Sequence, residues 1–249
     1  MKPEDAVALG LFALAMGLVI YVSVRSSSTF KRRGNPPLVE TREVGTGAED
    51  ASATCLRSFS TPPLTIALIV ISVAISLMSN MGSSLPDLKT LLIADPESHG
   101  LLEIETGEVW RLITPIFIHF GLIHLLFNMM WLWDLGKLIE VKKGHWFIAG
   151  FVLATGISSN LAQYLVTGSP LFGGMSGVVY GLLGYIWIQG LRNLDFGYVL
   201  HKQTVIMMLG WFILCWTGIL GPIANWAHTA GLAIGIAWGY VESGLSKFE

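Results

Sequence analysis

Apolar residues in this chain come in long, nearly unbroken runs rather than in the alternation of a half-buried strand. Seven stretches stand out, at about 6–24, 62–80, 114–133, 146–166, 176–190, 203–221 and 226–242. A bilayer core about 30 Å thick takes roughly 20 apolar residues of helix, and each stretch meets or approaches that length. Backbone groups in lipid must be satisfied within the segment, and these runs are too long for barrel strands. The pattern therefore predicts an all-α polytopic membrane protein, a bundle of helices.

The polar stretches divide the chain. Residues 1–25 read as a retained transmembrane anchor: Glu4 and Asp5 stand where a signal peptide wants positive charge, no small-x-small cleavage site follows, and Arg25, Lys31, Arg32 and Arg33 come directly after. Residues 26–61, rich in Ser, Thr, Gly, Pro and charge, read as a flexible cytoplasmic linker. Residues 62–243 form the core of six spans, and 244–249 a cytoplasmic tail. With the 62–80 span starting in the cytoplasm, Lys137, Lys142, Lys143, Arg192, Lys202 and Lys247 fall inside and only Lys89 and Arg111 outside, as positive-inside bias requires. The outer loop 81–113 carries Asp87, Asp95, Glu97, Glu103, Glu105 and Glu108 beside Leu88, Leu91, Leu92, Ile93 and Trp110, and is expected to fold partly into the interface.

Composition agrees with this division. Of 249 residues 53% are hydrophobic and 13% charged, and the mean hydropathy is +0.62, too apolar for an ordinary soluble domain. A net charge of −2 provides no basic face for nucleic acid. Cys55 lies in the linker and Cys215 in a span, so neither a disulfide framework nor a cysteine metal site is suggested.

Ionisable residues inside a membrane are costly and suggest function. Here they are His119, His124 and His228, with the polar Asn128 and a serine, Ser176, set in Gly173-Gly174-Met175-Ser176-Gly177. Counting about 1.5 Å per residue from an inner boundary at Lys137, Arg192 and Glu242 puts His124 roughly 20 Å up, Ser176 about 24 Å and His228 about 21 Å. Asn128 falls somewhat deeper, at roughly 14 Å. Gly231, Gly235 and Gly239 form a small-residue ridge opposite Gly177, Gly181 and Gly184, so two helices can meet backbone to backbone and bring Ser176 and His228 within reach.

A serine hydroxyl needs a base, and His228 is the one at its depth. His124 and Asn128, four residues apart, share a helix face and could donate to an oxyanion, as could the Ser176 N–H at a helix start. No Asp or Glu stands between Glu140 and Asp195 or between Asp195 and Glu242, so the expected unit is a Ser-His dyad. Tyr180, one turn below Ser176, is placed to pack on the imidazole. His119, five residues before His124, reads as structural. No HExxH occurs, and His124 pairs with Asn128 rather than with a second histidine, so no metal site is expected.

At these residues the sequence resembles the rhomboid intramembrane serine proteases of the bacterial six-helix type. The shared motifs are Gly107-Glu108-Val109-Trp110-Arg111, His119-x4-His124-x3-Asn128, Gly174-x-Ser176-Gly177 and Ala227-His228-x2-Gly231. The resemblance covers about residues 62–243 and implies a six-helix rhomboid-like bundle, here with one additional N-terminal transmembrane helix. It implies Ser176 as nucleophile, His228 as base, an oxyanion hole of His124, Asn128 and the Ser176 amide, and supporting roles for Gly174, Gly177 and Gly231. Glu140 matches a structural glutamate of the family.

The implied reaction is cleavage of single-span membrane proteins at small residues near helix-breaking positions, in the bacterial inner membrane, from a site open to the extracytoplasmic side. The partners implied are transmembrane substrates and the lipid bilayer, with no cofactor. Substrate entry is expected where the fifth core helix, with Trp211, Phe212 and Trp216, moves aside. Two rivals are an inactive relative that binds membrane proteins and a polar-lined channel or transporter. The first is disfavoured because every expected catalytic position is filled, the second because charge is absent from the inner half of the bundle except at helix ends.

Overall fold

The computed structural model describes residues 61–245, His99 excepted. The anchor expected over 1–25, nearly all of the linker over 26–61 and the last tail residues lie outside the described residues. Within them the chain forms helices and turns, with no strand.

Helix α1 spans Pro63–Met78. The segment after it contains two single-turn helices, α2 at Leu85–Leu88 and α3 at Leu102–Glu105, and two 3-10 turns at Val109–Leu112 and Thr114–Phe117. A long helix follows, made of α4 (Leu122–Trp131), a π-turn (Leu132–Gly136) and α5 (Lys137–Lys143). Then come α6 (His145–Thr167), α7 (Ser176–Arg192), α8 (Lys202–Trp216) and α9 (Asn225–Leu245). By length and hydropathy alone, Leu122–Lys143 is sufficient to cross a membrane, while α1 and α8 are shorter apolar helices.

Two expectations need correction. The span expected at 114–133 is not one helix: it begins at Leu122, behind a break in which Ile118 is extended and Gly121 takes φ 99°. It also runs on past Lys137 to Lys143, through a π-turn and α5. In consequence His119 belongs to the break and not to the helix.

Helix α7 is the centre of the bundle. Val178, Leu182, Leu183, Tyr185 and Ile186 have no exposure, and α6, α9 and the π-turn pack around it. The closest approach is to α9. A β-carbon on Gly231 would land on the carbonyl oxygen of Gly177, and one on Gly235 on that of Gly181. No side chain fits between these backbones, so van der Waals contact runs along the whole crossing. At the far end Tyr185 donates to Glu242 (3.0 Å), which also pairs with Lys143.

The start of α1 is closed by a side chain from another helix. Pro62 supplies no side-chain cap to α1. Instead Glu140 of α5 accepts the N–H groups of Leu64 (2.8 Å) and Thr65 (2.7 Å) and the Thr65 hydroxyl (2.7 Å). The first N–H groups of a helix have no intrahelical acceptor, and where water is scarce another helix must provide one.

The segment 79–121 folds back on the bundle, burying Leu88, Leu92, Ile93 and Ala94. Buried Arg111 pins it, donating to the carbonyls of Lys89 (2.6 Å) and Leu92 (2.9 Å) and to Glu108 (2.6 Å). Asn160 of α6 donates to Leu112 (2.8 Å) and Tyr164 to Gly100 (2.6 Å). At its exposed edge, the Glu97 N–H and the Lys89 ammonium hold the Asp95 carboxyl below the usual carboxylate range.

Candidate active site

Ser176 is the first residue of α7 and His228 stands in the first turn of α9. The glycine contact of the two helices brings them together, with Ser176 Oγ 2.8 Å from His228 Nε2. The arrangement fits a hydroxyl donating to an unprotonated Nε2, which leaves the proton on Nδ1. That Nδ1 is buried and has no hydrogen-bond partner among the described residues, so no carboxylate orients the ring. Packing does so instead: the Tyr180 ring lies 4.9 Å from it at 39°, and the Tyr180 hydroxyl is tied to the Met208 carbonyl at 3.1 Å.

His124 approaches from α4. Gly174, at φ 122°, marks the place: a β-carbon there would come within 2.7 Å of His124 Nε2 and 3.6 Å of Ser176 Oγ. Only glycine leaves the space between imidazole and hydroxyl open, and only glycine takes that backbone angle without strain. Asn128 is buried one turn below His124, and its Nδ2 donates to the His124 carbonyl at 2.9 Å. One N–H of that amide is thus occupied and the other is left over.

His119 is fully buried in the break before α4. Its Nδ1 faces the Phe117 carbonyl at 3.1 Å, its Nε2 takes the Met175 N–H at 3.4 Å, and its ring lies 5.1 Å from that of His124. It ties the segment before α4 to the residue before Ser176. Gly177 packs on Ser159 of α6, whose Oγ stands 2.6 Å from where a Gly177 β-carbon would be.

The three aromatic residues of α8 all contact neighbours. Trp211 stacks on Phe127 of α4 at 5.1 Å, Phe212 meets Tyr180 edge-on at 5.5 Å, and Trp216 meets Trp226 at 5.2 Å. Phe127 was not singled out from sequence. A phenylalanine in an apolar run carries no signal of its own, although its place one residue before Asn128 sets it on a neighbouring face. Gln163 was missed as well, and its amide oxygen accepts the N–H groups of Trp226 (3.0 Å) and Ala227 (3.3 Å). Among the described residues no group of three His, Cys, Asp or Glu side chains is disposed to hold a metal.

Comparison with known proteins gives the same direction. The rhomboid domain family model matches residues 106–244. The chain is 35% identical over 182 residues to the rhomboid protease GlpG of Klebsiella pneumoniae, covering 73% of this chain and 63% of that one. It is 40% identical over 137 residues to the rhomboid protease GlpG of Salmonella paratyphi A, covering 55% and 49%. The chain thus spans between about half and three-fifths of the length of these relatives. The family model takes in the serine, all three histidines and the glycine crossing, and on this ground the chain belongs to the rhomboid family.

Proposed function

We propose that this protein is an intramembrane serine endopeptidase that cleaves single-span membrane proteins with a Ser176–His228 dyad. The observation that carries the reading is the 2.8 Å approach of Ser176 Oγ to His228 Nε2, with His124 beside them. That its relatives are named as proteases supports it.

His228 Nε2 takes the hydroxyl proton as Ser176 Oγ attacks the peptide carbonyl carbon. The negative oxygen that forms is met by the Ser176 N–H, which has no partner in its own helix, by a protonated His124 Nε2 and by the remaining N–H of Asn128. The His228 imidazolium then gives its proton to the leaving amine. Water, deprotonated by the same ring, attacks the acyl-serine ester; the acyl C–Oγ bond breaks, the imidazolium returns the proton to Ser176 Oγ, and the new carboxyl terminus is freed. With no carboxylate on Nδ1, orientation of the base falls to Tyr180 and to the rigid α7–α9 crossing. Glycines, not charge, then set the geometry of the dyad.

Six spans, α1, α4 with α5, α6, α7, α8 and α9, make the core, preceded by an anchor over 1–25 and a linker over 26–61. The protein sits in the bacterial inner membrane with the dyad toward the extracytoplasmic face and the C-terminus in the cytoplasm, following the lysine and arginine distribution. Substrate enters past α8, whose contacts with its neighbours include three ring pairs: Trp211 on Phe127, Phe212 on Tyr180 and Trp216 on Trp226.

The deciding experiment is fluorophosphonate labelling of the detergent-solubilised protein. Wild type is expected to label and Ser176→Ala to stay unlabelled, with cleavage of a reconstituted transmembrane substrate lost in parallel. Equal labelling of both proteins would remove Ser176 as the nucleophile.

A further inference from the structure

Helix α9 delivers His228 from its first turn, so whatever fixes that turn fixes the base. The N–H groups ahead of the first i→i−4 bond need acceptors that the helix itself cannot supply. Asn225 finds the Ile223 carbonyl at 2.8 Å and His228 that of Ala224 at 3.2 Å. The two between them, Trp226 and Ala227, both donate to a single atom, Oε1 of Gln163, at 3.0 and 3.3 Å. Gln163 belongs to α6, is 7% exposed, and reaches a helix 63 residues further along the chain.

Thr155, Ser159 and Gln163 recur at four-residue spacing and so share one face of α6. Thr155 lies against Gly181, with Cγ2 2.8 Å from where a β-carbon there would be, and Ser159 lies against Gly177 at 2.6 Å. The same face that seats the serine's helix therefore holds, two turns on, the start of the histidine's helix. Closure of α1 by Glu140 shows the same device at the other end of the bundle.

We propose that Gln163 is a positioning residue for catalysis: by accepting from Trp226 and Ala227 it fixes α9 against α6, and thereby His228 against Ser176. This rests on the dyad reading above. It goes beyond helix stabilisation, because α6 touches both partners and a slackened first turn would displace the imidazole while leaving the glycine crossing below it intact. Misplacement of a reacting group by about 1 Å can cost on the order of 100-fold in rate.

The test compares Gln163→Met, which keeps the length but has no acceptor, with Gln163→Glu, which keeps the acceptor oxygen. Three quantities are read well below the unfolding temperature of each variant. They are the rate of fluorophosphonate labelling, kcat and KM for a reconstituted transmembrane substrate, and amide hydrogen exchange at residues 226–228. For Gln163→Met the expected result is labelling and kcat lower by on the order of 10- to 100-fold, KM within about twofold of wild type, and faster exchange at those amides. Gln163→Glu is expected to restore all three to near wild type.

Wild-type rates in Gln163→Met, or a defect that Gln163→Glu does not relieve, would overturn the proposal. So would a loss carried by KM alone. Failure of the dyad reading looks different: labelling would then persist in Ser176→Ala, while the exchange change at residues 226–228 would still report whether Gln163 holds the turn.

Discussion

Gly231 and Gly177 face each other across the α7–α9 crossing with no room for a single added carbon, because the atom that a Gly231 β-carbon would meet is a backbone carbonyl oxygen. A flexible side chain could swing away; a carbonyl in a helix cannot. Gly231→Ala is therefore expected to force the helices apart. Overpacking typically costs about 1–3 kcal/mol, and this site belongs at the upper end. Widening the crossing also separates Ser176 from His228, so fluorophosphonate labelling is expected to fall by about 100-fold even in the folded fraction. Labelling at the wild-type rate would show that the crossing does not set the dyad.

Tyr180 separates two contributions. Tyr180→Phe removes the hydrogen bond to Met208, worth about 1 kcal/mol, but keeps the ring on His228. Cleavage is expected to drop less than threefold. Tyr180→Ala removes the support itself, and kcat is expected to fall about 10-fold or more with KM little changed, since a misoriented base slows the chemical step. Equal effects of the two substitutions would assign the role to the hydroxyl.

Glu140 concentrates three hydrogen bonds on one carboxylate. Replacing it with alanine leaves the Leu64 and Thr65 N–H groups without acceptors, and a loss of about 3–5 kcal/mol is expected. Glu140→Gln keeps one acceptor and should fall between. The unfolding temperature in a fixed detergent reads both, and an unshifted value for Glu140→Ala would mean that water closes the start of α1.

The Phe127–Trp211 stack offers a way to fix α8 in place. Cysteines at both positions, cross-linked by a short bifunctional reagent, are expected to abolish cleavage of a transmembrane substrate while small fluorophosphonates still label Ser176. Unimpaired cleavage after cross-linking would put the entry route elsewhere.

Much of this was legible in the order of residues. The glycines at 177, 181, 231 and 235 announced a crossing, and a crossing with Ser176 and His228 at its ends left little freedom for where the two would meet. The helical class was equally plain from the apolar runs. The break at 118–121 was not, because Ile118, His119 and Phe120 are as apolar or aromatic as a helix interior, and the extended Ile118 and the positive angle at Gly121 are features of the folded backbone. The distant closures by Glu140 and Gln163 were illegible for a different reason. They join segments far apart in the chain, and a glutamine on a helix looks the same whether it faces solvent or another helix's N–H groups.

The π-turn at Leu132–Gly136 carries a last consequence. In a regular helix Asn128 and Glu140, twelve residues apart, would point about 120° away from each other; absorbing one residue into a wider turn brings them to about 20°. Both are buried, one bonded to the His124 carbonyl and the other to the start of α1. The helix thus holds one surplus residue between two fixed points. Removing the exposed Asp134 would let the turn close into ordinary helix without moving either end. A shortening that would wreck α7 is one this helix should absorb.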